Sequence, residues 1–179
     1  PLLELAKLID KVGLPKGVVN IITGFAEHCS KVLTSHKKIN RIAFTGGMHT
    51  AKHIVRNSAE NLSQVTLELG GKSPVAVFND AKIDNALNGV TASIFSASGQ
   101  SCIAGSRLYL QKGIYSEFLK KIKNKAENIK IGPPMDENTQ MGPLATLNQL
   151  KNIQEKINKT IQECGKLICG GERPKELNQ

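Results

Sequence analysis

The chain has 179 residues, 40% hydrophobic and 22% charged, the balance of a soluble globular protein rather than a disordered one. No apolar run approaches the roughly 20 residues a bilayer-spanning helix needs, so no membrane association is expected. The net charge is +9, but the lysines are spread along helices and only 4% of residues are aromatic, with no tryptophan. Base-stacking platforms are therefore scarce, and no nucleic-acid partner is expected.

The first segment, Leu2 to Val12, places apolar residues at 2, 5, 6, 8, 9 and 12, the stripe of a helix that Gly13 and Pro15 stop. It lacks the basic, apolar and small-residue regions of a signal peptide and has no initiator methionine, so the chain is expected to begin inside a longer polypeptide. "GVVNIIT" (17–23) reads as a β-branched strand, 26–35 as a helix, and "RIAFT" (41–45) as a strand running into Gly46 and Gly47. A helix is expected over 49–59, then strands at "QVTLEL" (64–69) and "PVAVF" (74–78). This alternation predicts parallel sheet with crossover helices, an α/β protein. Ile83, Ala86, Leu87, Val90 and Ile94 mark one face of the next helix. The strand "SRLYLQ" and a helix over 115–129 follow. Residues 131–145, rich in proline and glycine, predict a loop, 147–161 an amphipathic helix, and "KLICGG" (166–171) a closing strand. Gly70 and Gly71 form a joint between two βα systems, dividing the chain into 1–70 and 71–179.

Four cysteines, Cys29, Cys102, Cys164 and Cys169, form no C-x-x-C pair and hold no zinc spacing to the four histidines, so no metal is expected. So few cysteines in a chain this size argue against a disulfide framework and for a reducing, cytoplasmic compartment.

Three stretches carry chemistry. In "FTGGMHTAK" (44–52) a strand ends in glycines and enters a helix, either an ordinary tight turn or a place where free backbone N–H groups meet phosphate. Glu68 is the only charge between Glu60 and Lys72. Alternation sets it with Thr66, opposite Val65, Leu67 and Leu69. It is either a solvent-facing strand residue or a carboxylate at a cleft, suited to general-base work. Cys102 lies among Ala97, Ser98, Gly99, Ser101, Ala104 and Gly105. Free cysteines are mostly fillers, but small neighbours let a carbonyl approach and free N–H groups to hold an oxyanion. No histidine follows it, against a cysteine-protease pairing.

"LELGGKSP" and "GQSCIAGSR" together resemble the glutamate and cysteine signatures of the aldehyde dehydrogenase superfamily, with 34 positions from Glu68 to Cys102. "PKGVVNIITG", "FTGG", "NDAKIDNA", "SRLYLQKGIYSEF" and "IGPPMDENTQMGPL" resemble family segments in the same order. The resemblance implies part of a Rossmann-like cofactor domain over 1–70 and the first part of an α/β catalytic domain over 71–179. It implies NAD(P)-dependent aldehyde oxidation, with Cys102 as nucleophile, its backbone N–H on the oxyanion, and Glu68 activating water to hydrolyse the thioester. Thr45, Gly46 and Gly47 would line the nicotinamide and diphosphate of NAD or NADP, Leu69 and Gly70 the nicotinamide end, and Ala26 to Lys31 the adenine. Ser101 and Ile103 would line the aldehyde pocket. The sequence departs from the family pattern at Gly47, usually serine, Ala51, usually glycine, and Ala97, commonly asparagine.

The resemblance covers only a middle portion of the family's length. It therefore implies a fragment of a homo-oligomeric parent, with little or no turnover alone. Two other readings compete: an enzyme that passes the thioester to coenzyme A, disfavoured because Glu68 is present, and a non-catalytic basic interaction module.

Overall fold

The computed structural model describes residues 2–174, which divide into two compact units, Pro1–Leu69 and Gly70–Gln179. Each is built round one parallel strand pair joined by a helix, the minimal βαβ unit.

In the first unit α1 (Leu2–Lys11) and α2 (Ala26–Ser35) precede β1 (Arg41–Gly46), α3 (Met48–Ser58) and β2 (Gln64–Leu69). β1 and β2 pair in parallel from Arg41↔Gln64 to Gly46↔Leu69. Alternation along both strands puts Ile42, Phe44, Val65, Leu67 and Leu69 on a half-buried face and Ala43, Thr45, Thr66 and Glu68 on an exposed one. On the exposed face Arg41 Nη2 donates to Thr66 Oγ1 at 3.1 Å. α3 packs on the pair and buries Ala51, Ile54 and Ser58, one helical face at steps of three and four. Asn57 Nδ2 donates to the buried Thr34 Oγ1 of α2 at 2.9 Å, tying the two helices together. The α1 stripe forms the expected helix, yet no residue of α1 is buried.

In the second unit β3 (Pro74–Val77), α4 (Ile83–Phe95) and β4 (Arg107–Leu110) form the strand pair, registered from Pro74↔Arg107 to Val77↔Leu110. A single 3-10 turn leads into α5 (Tyr115–Glu127), and α6 (Leu147–Gln162) starts at Thr146, whose hydroxyl accepts the Gln149 N–H. α4 and α5 cover one face of the strands. Val77, Leu87, Val90, Ile114 and Phe118 are buried there, with Val75, Leu108, Leu110 and Ile122 packed around them. Phe118 is the centre, 0% exposed. Lys121 of α5 bridges Glu117 on its own helix and Asp84 on α4, at 3.1 and 3.4 Å.

Two expected strands do not form. Residues 17–23 and 166–171 are turns, bends and irregular chain, and no strand among the described residues pairs with either. A β-branched run becomes a strand only when a neighbour accepts its N–H groups. At 17–23 Val18, Val19 and Ile22 stay exposed and Ile21 is half-buried. Gly17, Gly170 and Gly171 take positive φ, which breaks extended backbone. The end of the tail, 175–179, lies outside the described residues. No helix is long and apolar enough to cross a membrane among the described residues.

Candidate active site

The first unit gathers most of the expected cofactor residues at the carboxyl end of its strand pair. Thr45 lies directly across from Glu68 and Gly46 across from Leu69. Thr45 and Glu68 point to the same exposed face, the one on which the alternation of 64–69 sets Glu68. Gly46 is glycine for a local reason: a Cβ there would sit 2.5 Å from the Phe44 ring, which folds back over it.

Gly47 is the N-cap of α3, in extended conformation (φ −78°, ψ 150°), and no side chain caps the helix. The first turn of α3 therefore presents unpaired N–H groups at the positive end of the helix dipole. A Cβ on Gly47 would have nothing within 4 Å, so the space beside those donors is open. An uncapped N-terminus with open space suits an anionic diphosphate. The missing serine hydroxyl removes one bond to such a group, typically about 1 kcal/mol. The Ala51 methyl is 2% exposed, in the buried face of α3, and so adds no bulk at the surface of the helix. Of the segment 26–31, the side chains of residues 26–28 lie outside the described residues.

Cys102 and Gly70 belong to the second unit. The thiol is free, and Cys102 is exposed, not a core filler. It sits in a turn closed by the Ala104 N–H donating to the Ser101 carbonyl at 3.2 Å, with Cys102 and Ile103 as central residues. Within this unit neither central N–H meets an acceptor among the described residues, so both are available to an external oxygen. Ile103 flanks the thiol at 78% exposure.

Three features that sequence reasoning missed hold the turn. Gly105 is buried, its N–H donating to the Ser93 carbonyl of α4 at 3.0 Å. A Cβ there would fall 2.5 Å from Ser93 Oγ and 2.6 Å from Val75 Cγ2, so only glycine lets the turn seat on α4 and β3. On the upstream side Ala97, Ser98 and Gly99 all take left-handed conformations (φ 50°, 54° and 71°). For Ala97 and Ser98 that stores on the order of 1–2 kcal/mol each. Lastly, Gly71 lies against the turn: a Cβ on it would stand 3.2 Å from the Cys102 carbonyl oxygen. The small residues around Cys102 and the Gly70–Gly71 joint are visible in the sequence, but the contacts they make are not.

A cavity of about 540 Å³ lies elsewhere in the unit, between residues 141–147, α6 and residues 171–174. It reaches Ser98, whose hydroxyl donates to the Gly142 carbonyl, but Cys102 is not among its lining residues. Among the described residues no group of three or more His, Cys, Asp or Glu is arranged to hold a metal.

The model of the aldehyde dehydrogenase family matches residues 2–179. The chain belongs to the aldehyde dehydrogenase family. It is 55% identical over 172 residues to the (Z)-2-((N-methylformamido)methylene)-5-hydroxybutyrolactone dehydrogenase of Acinetobacter baylyi, covering 96% of this chain and 35% of that one. To a betaine aldehyde dehydrogenase of Rhizobium leguminosarum it is 38% identical over 176 residues, covering 98% and 36%. Among solved structures, PnpE from Pseudomonas sp. WBC-3 gives a TM-score of 0.94 at 41% identity, over 97% of this chain and 36% of that one. A PnpE structure in complex with nicotinamide adenine dinucleotide gives the same values. The chain thus spans about a third of the length of the relatives it matches.

Proposed function

We propose that these residues are the central part of an NAD(P)-dependent aldehyde dehydrogenase that oxidises an aldehyde to a carboxylic acid, residues 1–70 serving the cofactor and 71–179 carrying the thiol. The observation that carries the reading is the Cys102 turn: an exposed thiol beside two backbone N–H groups that meet no acceptor in their unit among the described residues, on a backbone locked by Gly105.

Cys102 Sγ, as thiolate, attacks the aldehyde carbonyl carbon, and an S–C bond forms as the carbonyl oxygen takes up negative charge. The Cys102 N–H donates to that oxygen and stabilises the tetrahedral adduct. NAD or NADP, when bound, supplies the hydride acceptor that turns the adduct into a thioester. Thr45, Gly46 and Gly47 would line its nicotinamide and diphosphate, with the N–H groups at the start of α3 as donors, and Leu69 and Gly70 would lie at the nicotinamide end. Glu68 takes a proton from water, whose oxygen attacks the thioester carbon. The S–C bond breaks, the carboxylic acid leaves, the thiolate is restored, and Glu68 gives its proton up to solvent.

Glu68 in this role makes water the acceptor instead of coenzyme A. Since these residues amount to about a third of the relatives' length, the 179-residue chain alone is proposed to show little or no turnover. The test is NAD(P)-linked aldehyde oxidation by the full-length enzyme carrying these residues. Wild type forms the free acid whether or not coenzyme A is added, and Cys102→Ala forms none. Acid formation by Cys102→Ala at the wild-type rate, or an acyl-coenzyme A product, would refute the reading.

A further inference from the structure

We propose that Arg107 is a positioning residue that fastens the segment Gly71–Ser73 against the turn carrying Cys102 and so keeps that turn in its reactive shape. The inference rests on the reading of Cys102 as the nucleophile.

Arg107 opens β4, five positions after Cys102, and grips the segment twice. Its backbone N–H donates to the Ser73 carbonyl at 3.2 Å and its Nε to the Lys72 carbonyl at 2.8 Å. The side chain is itself held, because Nη1 donates to the Tyr109 hydroxyl at 3.2 Å and the guanidinium lies 5.8 Å from the centroid of the Tyr109 ring. Residues two apart on a strand share a face, which is why Tyr109 can buttress Arg107. The gripped carbonyl belongs to the residue after Gly71, and Gly71 stands close enough to the turn that a Cβ on it would come within 3.2 Å of the Cys102 carbonyl oxygen.

That contact matters because a peptide unit is planar. Fixing the Cys102 carbonyl also fixes the Ile103 N–H on the same plane, one of the two donors beside the thiol that meet no acceptor in their unit among the described residues. Release of the grip at Lys72 lets Gly71 move away and the Cys102 peptide tilt. A planar guanidinium that uses Nε on a carbonyl and Nη1 on a phenol cannot be replaced in full by an ammonium.

The test uses the full-length enzyme carrying these residues, with kcat expressed per titratable Cys102 thiol, so that loss of folded protein does not count. Arg107→Met is expected to lower that kcat about tenfold with KM for the aldehyde within about twofold, the pattern of lost positioning. Arg107→Lys recovers part of the loss. Tyr109→Phe, which removes only the hydroxyl that accepts from Nη1, gives about a two- to threefold loss. Wild-type kcat per thiol in Arg107→Met overturns the inference, as does a loss explained wholly by fewer titratable thiols. Should Arg107→Met fail to fold, wild-type values in both Arg107→Lys and Tyr109→Phe overturn it. Turnover by Cys102→Ala would instead defeat the underlying reading, whereas inactive Cys102→Ala beside normal Arg107→Met defeats this inference alone.

Discussion

The two units use the same βαβ plan and arrive at different interiors. The first has the longer strands, six residues each against four, yet buries only Ala51 and Ile54 among its apolar side chains in the described residues. The second, on shorter strands, encloses Val77, Leu87, Val90, Ile114 and Phe118. A second covering helix makes the difference, since α4 and α5 both lie on β3–β4, whereas among the described residues only α3 packs closely on β1–β2. Strand length supplies backbone pairing, but burial by two helices supplies most of the hydrophobic stabilisation. Each unit also treats its chemistry accordingly. The proposed cofactor residues of the first lie at the carboxyl end of its strands, and the thiol of the second sits on a turn seated through the buried Gly105.

That contrast can be broken most forcefully at Phe118. Phe118→Ala is expected to destabilise the second unit by about 3–5 kcal/mol, because a 0% exposed ring leaves a cavity. Ile54→Ala in the first unit should cost about 2 kcal/mol, at the low end for such truncations. Hydrogen exchange reports both. Amides of Val75–Val77 and Leu108–Leu110 should be better protected than those of β1 and β2, and equal protection would erase the contrast.

Gly105→Ala comes next, with a loss of about 1–3 kcal/mol as the methyl displaces Ser93 and Val75. Iodoacetamide labelling of Cys102 should change in that variant while labelling of Cys164 does not, if the clamp acts on the turn. Ala97→Asn is expected to stabilise the protein by about 0.5–1 kcal/mol, because asparagine tolerates the left-handed conformation better than alanine. Denaturant unfolding checks this, and a destabilised variant would mean that φ 50° at Ala97 carries no strain.

The smallest effect belongs to Lys121, whose pKa is raised above 10.5 chiefly by its hydrogen bond to Glu117, with Asp84 adding to it against partial desolvation. A raised cationic pKa contributes stability that is complete below the ordinary lysine value and fades as pH rises through the raised one. Lys121→Met should therefore differ slightly from wild type in thermal unfolding at neutral pH and converge with it in strongly alkaline solution.

Apolar spacing and composition made the six α-helices and four paired strands of the described residues legible, although the stripe of α1 buries nothing. Composition misled at 17–23 and 166–171, where no strand among the described residues pairs with the segment. Alternation also placed Glu68 opposite Val65, Leu67 and Leu69, as its exposed position on β2 bears out. Pairing register brought Thr45 beside it, which no local pattern encodes. The braces of the Cys102 turn were hidden for the same reason. Gly105 meets Ser93 across twelve positions and Arg107 meets Lys72 across 35, so neither contact leaves a mark in the neighbouring sequence.

The central claim, a covalent bond to one sulfur that a carboxylate then helps to release, is tested most directly by trapping. Full-length enzyme carrying Glu68→Gln is mixed with aldehyde and cofactor, and its intact mass and peptide map are recorded within the first turnover. The account predicts an acyl group on the peptide containing Cys102, accumulating to about one per active site as acid release stalls. An acyl group on a different residue, or acid released at the wild-type rate with no adduct, would contradict it.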